Sequence, residues 1–208
     1  DPYETKNLAV DPAFAAVTSR MRNRLREIVK ALPDLSLYPE SYLVDHAFVD
    51  PVAFGQAHKS EIAQLVDTAD LSLVPFQDAA KSIEQSLASD DPWQRYWALI
   101  ACSSHGDAAQ PFVATAKKLA ARDGELLVRV RAAEFLGLLG AVDPQPTIMS
   151  CLAQTTSPVE ASLILNTLVL LRDGQPGYKF KVSLGDLKTL KDKQADGVQR
   201  RMEYLTAP

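Results

Sequence analysis

The chain has 208 residues, enough for one domain or two, and a chain of this length buries roughly 70% of its unfolded surface. Hydrophobic residues make up 47% of the sequence but aromatic residues only 7%, a balance that favours helices over sheets. The formal net charge of −4 excludes the strongly basic nucleic-acid-binding proteins and gives no reason to expect an anionic membrane. We therefore expect neither a nucleic acid nor a membrane as a partner.

The chain begins with a short patterned segment, Asp1–Ala9, with the sequence Asp-Pro-Tyr-Glu-Thr-Lys-Asn-Leu-Ala. Taken alone, it is a polar turn that leads into a helix, because proline fixes φ and Asn-Leu-Ala is common at helix entries. The pattern Asp-Pro-x-Glu-x-x-Asn-Leu-Ala also resembles the motif that closes the C-terminal subdomain of sulfatases, where the chain leaves a small antiparallel sheet and enters a helix. A second segment, Leu32–Glu40, is similar to the one that follows this helix in bacterial sulfatases related to N-sulfoglucosamine sulfohydrolases.

This resemblance implies a place at the C-terminal end of a larger sulfatase, after its catalytic domain. Because the sequence begins with Asp1 and not with methionine, we expect it to be a piece of such a protein. The resemblance further implies a parent that hydrolyses sulfate esters or N-sulfate groups and that is periplasmic or secreted.

The chemistry of sulfatases depends on a Cys or Ser in the motif Cys/Ser-x-Pro-x-Arg, which matures to formylglycine, and on a calcium ion nearby. Neither cysteine of this chain, Cys102 or Cys151, is followed by that Pro and Arg, and no Ser-x-Pro-x-Arg occurs. By the resemblance, the nucleophile and the calcium ligands lie in the parent's catalytic domain. We therefore assign no catalytic, cofactor-binding or metal-binding residue here, and we expect the chain alone to be inactive.

Helix starts are marked by a capping side chain followed by proline, which lacks the N–H group that the first helical residue leaves unpaired. Such pairs begin at Asp11, Asp50, Asp91, Asp143 and Ser157. Ser157 and Glu160 also match the spacing of a capping box.

After Asp11, apolar residues recur at steps of three and four, which predicts one helix that ends near Pro33. This stripe consists of Phe14, Val17, Met21, Leu25, Ile28 and Leu32. We expect the stripe to dock on a matching apolar face after residue 50, formed by Phe54, Ala57, Ile62 and Leu65. The alternative is that it packs on the sheet that sulfatases place before this helix, which would leave it uncovered in this chain.

The remaining faces of the first helix are rich in basic residues, namely Arg20, Arg22, Arg24, Arg26 and Lys30. They could form an anion site. Glu27 interrupts them, however, and a basic helix face is usually solvated or ion-paired, so we expect the second arrangement.

Beyond residue 50 the sequence predicts helices that repeat. The segment from Arg95 to Gly106 overlays the segment from Arg129 to Gly140 at an offset of 34 residues. Ala98 then meets Ala132, and a weaker third copy begins at Ser157. The shared pattern resembles HEAT-like repeats, with small residues where paired helices approach closely and glycine at the end of the first helix.

Each repeat requires a second helix. One helical pair does not bury its apolar face alone, so neighbouring pairs stack into one continuous core. We predict these helices at residues 76–88, 108–122 and 145–154 and within residues 184–205. The helix at 76–88 should bury Ala79, Ile83 and Leu87. Residues 40–50 and 173–182 are predicted to be loops, and Tyr178–Val182 alternates like a short strand without an evident partner.

Several other side chains suggest sites. His46, His58 and His105 are too widely spaced for a recognisable metal site, and we expect surface or capping positions for them. Trp93 and Trp97 could form an aromatic platform for a sugar, but core packing is the stronger expectation. Asp45 and His46 belong to an ordinary polar loop or, in the alternative, border the parent's substrate cleft.

These observations predict an all-α fold, with a tail motif, connecting helix and loop in residues 1–49 and a short HEAT-like α-α superhelical stack in residues 50–208. By the resemblance, the chain is a non-catalytic C-terminal domain that packs beside the parent's own catalytic domain or mediates homo-oligomer contacts. One alternative is a free-standing HEAT-repeat adaptor whose concave face binds a protein. HEAT-like folds also occur in bilin lyases, but that is an analogy of fold alone.

Overall fold

A computed structural model describes residues 3, 5–174 and 177–206 of the chain. Among these residues the fold is all-α, as predicted, and contains no β-strand. In chain order the helices are α1 (Ala15–Ala31), α2 (Glu40–His46), α3 (Pro51–Ala57), α4 (Lys59–Ala69), α5 (Phe76–Leu87), α6 (Pro92–His105), α7 (Val113–Arg122), α8 (Leu126–Leu138), α9 (Gln145–Gln154), α10 (Pro158–Asp173) and α11 (Asp196–Thr206). Short 3-10 turns occur at Pro12–Phe14, Leu35–Leu37, Asp70–Leu73, Gly106–Phe112 and Leu184–Asp186.

Three residues of the sulfatase-like motif, Asp1, Pro2 and Glu4, lie outside the described residues, as do Gln175 and Pro176 in the predicted loop at 173–182. None of the described helices combines the length and the hydropathy of a membrane-crossing segment.

The predicted capping side chains all accept a backbone N–H at a helix start, as their sequence pattern indicates. The acceptors are Asp11, Asp50, Asp91, Asp143 and Ser157. The capping box at Ser157 is only half formed, because the backbone N–H of Ser157 donates to the hydroxyl of Thr155 at 3.2 Å instead of to Glu160.

The helices from α4 onward form two layers. In the first layer α4, α6, α8 and α10 stack in sequence, each against the next. In the second layer α5 packs on α6, α7 on α8, α9 on α8 and α10, and α11 on α10. These second-layer helices occupy the predicted gaps, and Ala79, Ile83 and Leu87 of α5 are buried as expected. The predicted helix at 108–122 begins as a 3-10 turn that contains Pro111.

The predicted offset of 34 residues aligns α6 with α8. Gly106 and Gly140, which follow these helices, have positive φ values of 54° and 62°. Ala98 and Ala132 are both fully buried. The third copy forms α10, but Gly174 at its end has a φ of −76°, so this glycine is not left-handed.

The predicted docking of the α1 stripe is wrong, because α1 approaches α4 with its basic face. Ile62 and Leu65 of α4 are buried in the core, beside α6. The acidic residues that bind α1 are Asp67 of α4 and Asp70 of the 3-10 turn that follows it, and the apolar stripe is exposed to solvent.

Residues 40–50, predicted as a loop, instead begin with α2. Leu43 and Ala47 are four residues apart and both are buried, which anchors this short helix against the core. The core therefore includes residues on both sides of residue 49.

Residues 177–182 form no regular secondary structure, but their alternating pattern corresponds to alternating burial of side chains. Phe180 and Val182 are buried, and the hydroxyl of Tyr178 donates to the carbonyl of Gly137 at 3.0 Å.

Candidate interaction surface on the first helix

The most unusual surface of the molecule is the apolar stripe of α1, all of which is open to solvent. The exposed fractions are 40% for Phe14, 39% for Val17, 66% for Met21, 62% for Leu25, 42% for Ile28 and 61% for Leu32. Single exposed apolar side chains are ordinary, but a continuous row along a whole helix marks an interaction surface. We call these six residues the α1 stripe.

The opposite side of α1 is held to α4 by ion pairs. The ammonium of Lys30 lies 2.7 Å from Oδ2 of Asp67. Arg26 donates to Oδ1 of the same carboxylate and also lies 3.4 Å from a carboxylate oxygen of Asp70. Burial would raise the pKa of Asp67, but the hydrogen bonds from Lys30 and Arg26 outweigh this effect and lower the pKa. The expectation of ion pairing is thus confirmed for these two basic residues, and the pairs fix which face of α1 remains free.

A groove between α1 and α4 adjoins the stripe. Its volume is about 200 Å³, and its lining is apolar except for Arg22, Arg26 and Asp70. The apolar lining residues are Leu25, Val29, Leu37, Val66, Ala69 and Leu73. Because Leu25 belongs to both the groove and the stripe, the two form one continuous surface.

The tryptophans lie in the packed interior, as expected. Trp93 is buried, and its ring centroid lies 5.0 Å from that of Tyr42 on α2. Trp97 is partly buried and donates its indole N–H to the carbonyl of Leu37 at 2.7 Å. These contacts join the first repeat helix to the segment around α2, so the rings act in packing.

The histidines are spread over three places. A ring nitrogen of His105 lies 2.9 Å from the carbonyl of Leu71, and one of His58 lies 2.9 Å from that of Phe54. His46 is exposed at the end of α2. No group of three or more His, Cys, Asp or Glu side chains within the described ranges is arranged to hold a metal ion.

Asp45, singled out with His46 as a possible border of a substrate cleft, is exposed on α2. Asp45 interacts electrostatically with Glu160 on α10. Burial raises the pKa of Glu160, and the negative charge of Asp45 raises it further. The pair thus marks where α2 and α10 approach each other.

Both cysteines are free thiols in the core. Burial raises the pKa of Cys102 to about 12 and that of Cys151 to about 11. A thiol attacks as the thiolate, so neither residue has the properties of a nucleophile at neutral pH.

A buried polar network that the sequence reasoning missed joins α6, α8 and α10. The carboxylate of Glu134 accepts from the guanidinium of Arg131 and, at 3.2 Å, from the hydroxyl of Thr167. Arg131 also donates to the hydroxyl of Tyr96 at 2.9 Å. The sequence signal for it is an Arg and a Glu three residues apart in a helix whose other residues, apart from Arg129, are uncharged.

The chain matches no protein-family model, and no curated protein and no solved structure resembles it significantly. Its function is therefore inferred from its own residues.

Proposed function

We propose that the chain is a non-catalytic C-terminal helical domain of a sulfatase, and that it packs beside the parent's catalytic domain through the α1 stripe. The observation that carries this proposal is the uncovered stripe. It lies between Asp1–Ala9 and Leu32–Glu40, the two segments that resemble sulfatases. Burying six such side chains against a second surface is strongly favoured by the hydrophobic effect.

The helices after α3 form a short HEAT-like stack in this proposal. Support comes from the two layers of helices and from the matching positive φ values of Gly106 and Gly140. Such a stack supplies a rigid body behind α1, suited to narrowing a neighbouring cleft or to contacts between copies in a homo-oligomer.

The parent would hydrolyse sulfate esters or N-sulfate groups, with its calcium ion held in the catalytic domain. Without a formylglycine nucleophile and its charged surroundings, the family's reaction has no first step. We therefore expect the purified chain to turn over an aryl sulfate no faster than a heat-inactivated control. Measurable hydrolysis by the chain alone would contradict the proposal.

A binding experiment tests the docking directly. The probe is the catalytic domain of an N-sulfoglucosamine sulfohydrolase-type sulfatase, cut after its small sheet so that its own connecting helix is missing. We expect calorimetry to show binding of the chain, and we expect the double substitution Met21→Glu and Leu25→Glu to abolish it.

The matched control is the double substitution Val142→Glu and Leu170→Glu, which adds the same two charges at apolar residues that are 39% and 48% exposed. It should leave the affinity unchanged. Absence of binding, or equal affinity of the stripe variant and the control, would contradict the proposal and favour the free-standing adaptor. A natural reading frame upstream of Asp1 without Cys/Ser-x-Pro-x-Arg would contradict it independently.

A further inference from the structure

We infer that the partner surface which covers α1 is an apolar face bordered by carboxylates, with one apolar side chain that enters the groove between α1 and α4. This inference rests on the proposed function for the location of the partner. Its chemistry follows from the charges and the groove on this side of the molecule.

The basic residues of α1 divide into two sets. Arg26 and Lys30 are neutralised by α4. Arg20 and Arg22, by contrast, have no ion-pair partner in the part of the chain that the structure describes, although Arg22 lines the groove beside Asp70. Arg24 has only Glu27, and in that pair the two side chains are 72% and 67% exposed.

The outer arginines lie beside the α1 stripe. Arg20 and Arg24 are four residues apart and therefore share one side of the helix, adjacent to the row that contains Val17 and Met21. Arg22 lies at the groove. A partner that covers the stripe removes water from these guanidinium groups, which is costly unless the partner supplies opposite charges.

The groove determines the apolar part of the contact. Its lining is dominated by aliphatic side chains, so water in it gains few hydrogen bonds and an apolar side chain displaces that water favourably. Since Leu25 connects the groove to the stripe, one partner surface reaches both.

The same charges disfavour a second copy of the chain as the occupant. A second copy paired through α1 would bring the outward-facing Arg20 and Arg24 of both copies to one interface, where each copy adds Glu27 but no further acid of α1.

Two synthetic peptides test this chemistry. Each is a helix of about 18 residues, long enough to cover α1 at 1.5 Å per residue. Both carry the same leucines at steps of three and four, flanked by glutamates in one peptide and by lysines in the other. In fluorescence anisotropy, the glutamate peptide should bind the chain at least about tenfold more tightly, and the affinity should fall as salt rises from roughly 50 to 500 mM.

The matched variants reverse two charges each. Arg20→Glu with Arg24→Glu should weaken binding of the glutamate peptide at least about tenfold. Lys117→Glu with Lys118→Glu, which changes two exposed residues of α7, should leave it unchanged. Equal affinities of the two peptides, or equal effects of the two double variants, would overturn the inference.

Two further outcomes would also overturn it. One is a dimer in analytical ultracentrifugation that Met21→Glu dissociates, and the other is tighter binding to phosphatidylserine-containing vesicles than to the glutamate peptide. If the sulfatase catalytic domain does not bind but the peptide preference holds, the proposed function fails and the inference stands. If that domain binds through the stripe and the peptides show no preference, the inference alone fails.

Discussion

At the residue scale, the core contains a polar network formed by Arg131, Glu134, Thr167 and Tyr96. Glu134 is only 5% exposed, and it serves as the acceptor for both Arg131 and Thr167. A buried ion pair contributes little net stability compared with apolar residues of the same shape, but loss of one partner leaves a buried charge without compensation. The network therefore fixes how α6, α8 and α10 are placed relative to one another.

Glu134→Ala is expected to lower the free energy of unfolding by about 1–3 kcal/mol, because it leaves the partly buried guanidinium of Arg131 and the buried hydroxyl of Thr167 without their acceptor. The control Glu27→Ala removes an exposed pair with Arg24 and should cost at most about 1 kcal/mol. Urea titration followed by circular dichroism measures both values. Equal shifts in the unfolding midpoint would show that Glu134 is not an essential partner.

Two partly buried glutamates at the starts of α8 and α10 make stability depend on pH. Burial raises the pKa of Glu125, and the charge of Glu160 is the next cause. For Glu160, burial again raises the pKa most. A carboxyl with a raised folded-state pKa stabilises the fold below its ordinary pKa of 4.5, and this contribution is lost as pH rises through the folded-state value.

Glu160→Gln should therefore raise the melting temperature at pH 7, where the wild-type carboxyl is charged. The gain should shrink toward pH 4, where the carboxyl becomes protonated and resembles the amide. Differential scanning calorimetry at both pH values measures this effect. A variant that melts lower than the wild type at pH 7 would indicate that the charge of Glu160 is favourable at the start of α10.

At the element scale, the sequence predicted what depends on local chemistry. Caps such as Asp91 and turn glycines such as Gly140 act within a few residues, so helix starts and ends could be located. The direction in which α1 faces depends on Asp67, 37 residues beyond Lys30, and no local pattern contains that information. For the same reason the sequence predicts the apolar stripe, which is the candidate site, but wrongly predicts that it packs on the helices after residue 50.

The repeat register gives a test at this scale. Ala132 is fully buried in α8, at the position that the predicted repeat pairs with Ala98 of α6, so Ala132→Leu should overpack the core and cost about 1–3 kcal/mol. Arg122→Leu at the exposed end of α7 should change stability by less than about 0.5 kcal/mol. Thermal melts of the two variants check this, and similar shifts would mean that the two alanines are not equivalent close-approach positions.

At the scale of the whole molecule, one hydrophobic core runs from Leu37 to Leu205, and α1 lies outside it. No residue of α1 is fully buried, and the helix is attached through the partly buried Val29 and the ion pairs to Asp67. The buried core that stabilises the chain therefore lies in the helical layers, whereas the proposed docking surface lies on a peripheral helix. This separation allows substitutions in the stripe to change binding without unfolding the domain.

Phe14→Asp tests that separation. Had the stripe docked on the helices after residue 50, this substitution would place a charge in an apolar contact and cost about 2 kcal/mol or more. Because Phe14 is 40% exposed and does not belong to the core, we expect a change below about 0.5 kcal/mol. Leu165→Ala, in the fully buried part of α10, provides the contrast and should cost about 2–5 kcal/mol. Denaturant titration of both variants checks the prediction. A large decrease in the free energy of unfolding for Phe14→Asp would indicate that the stripe packs on the core.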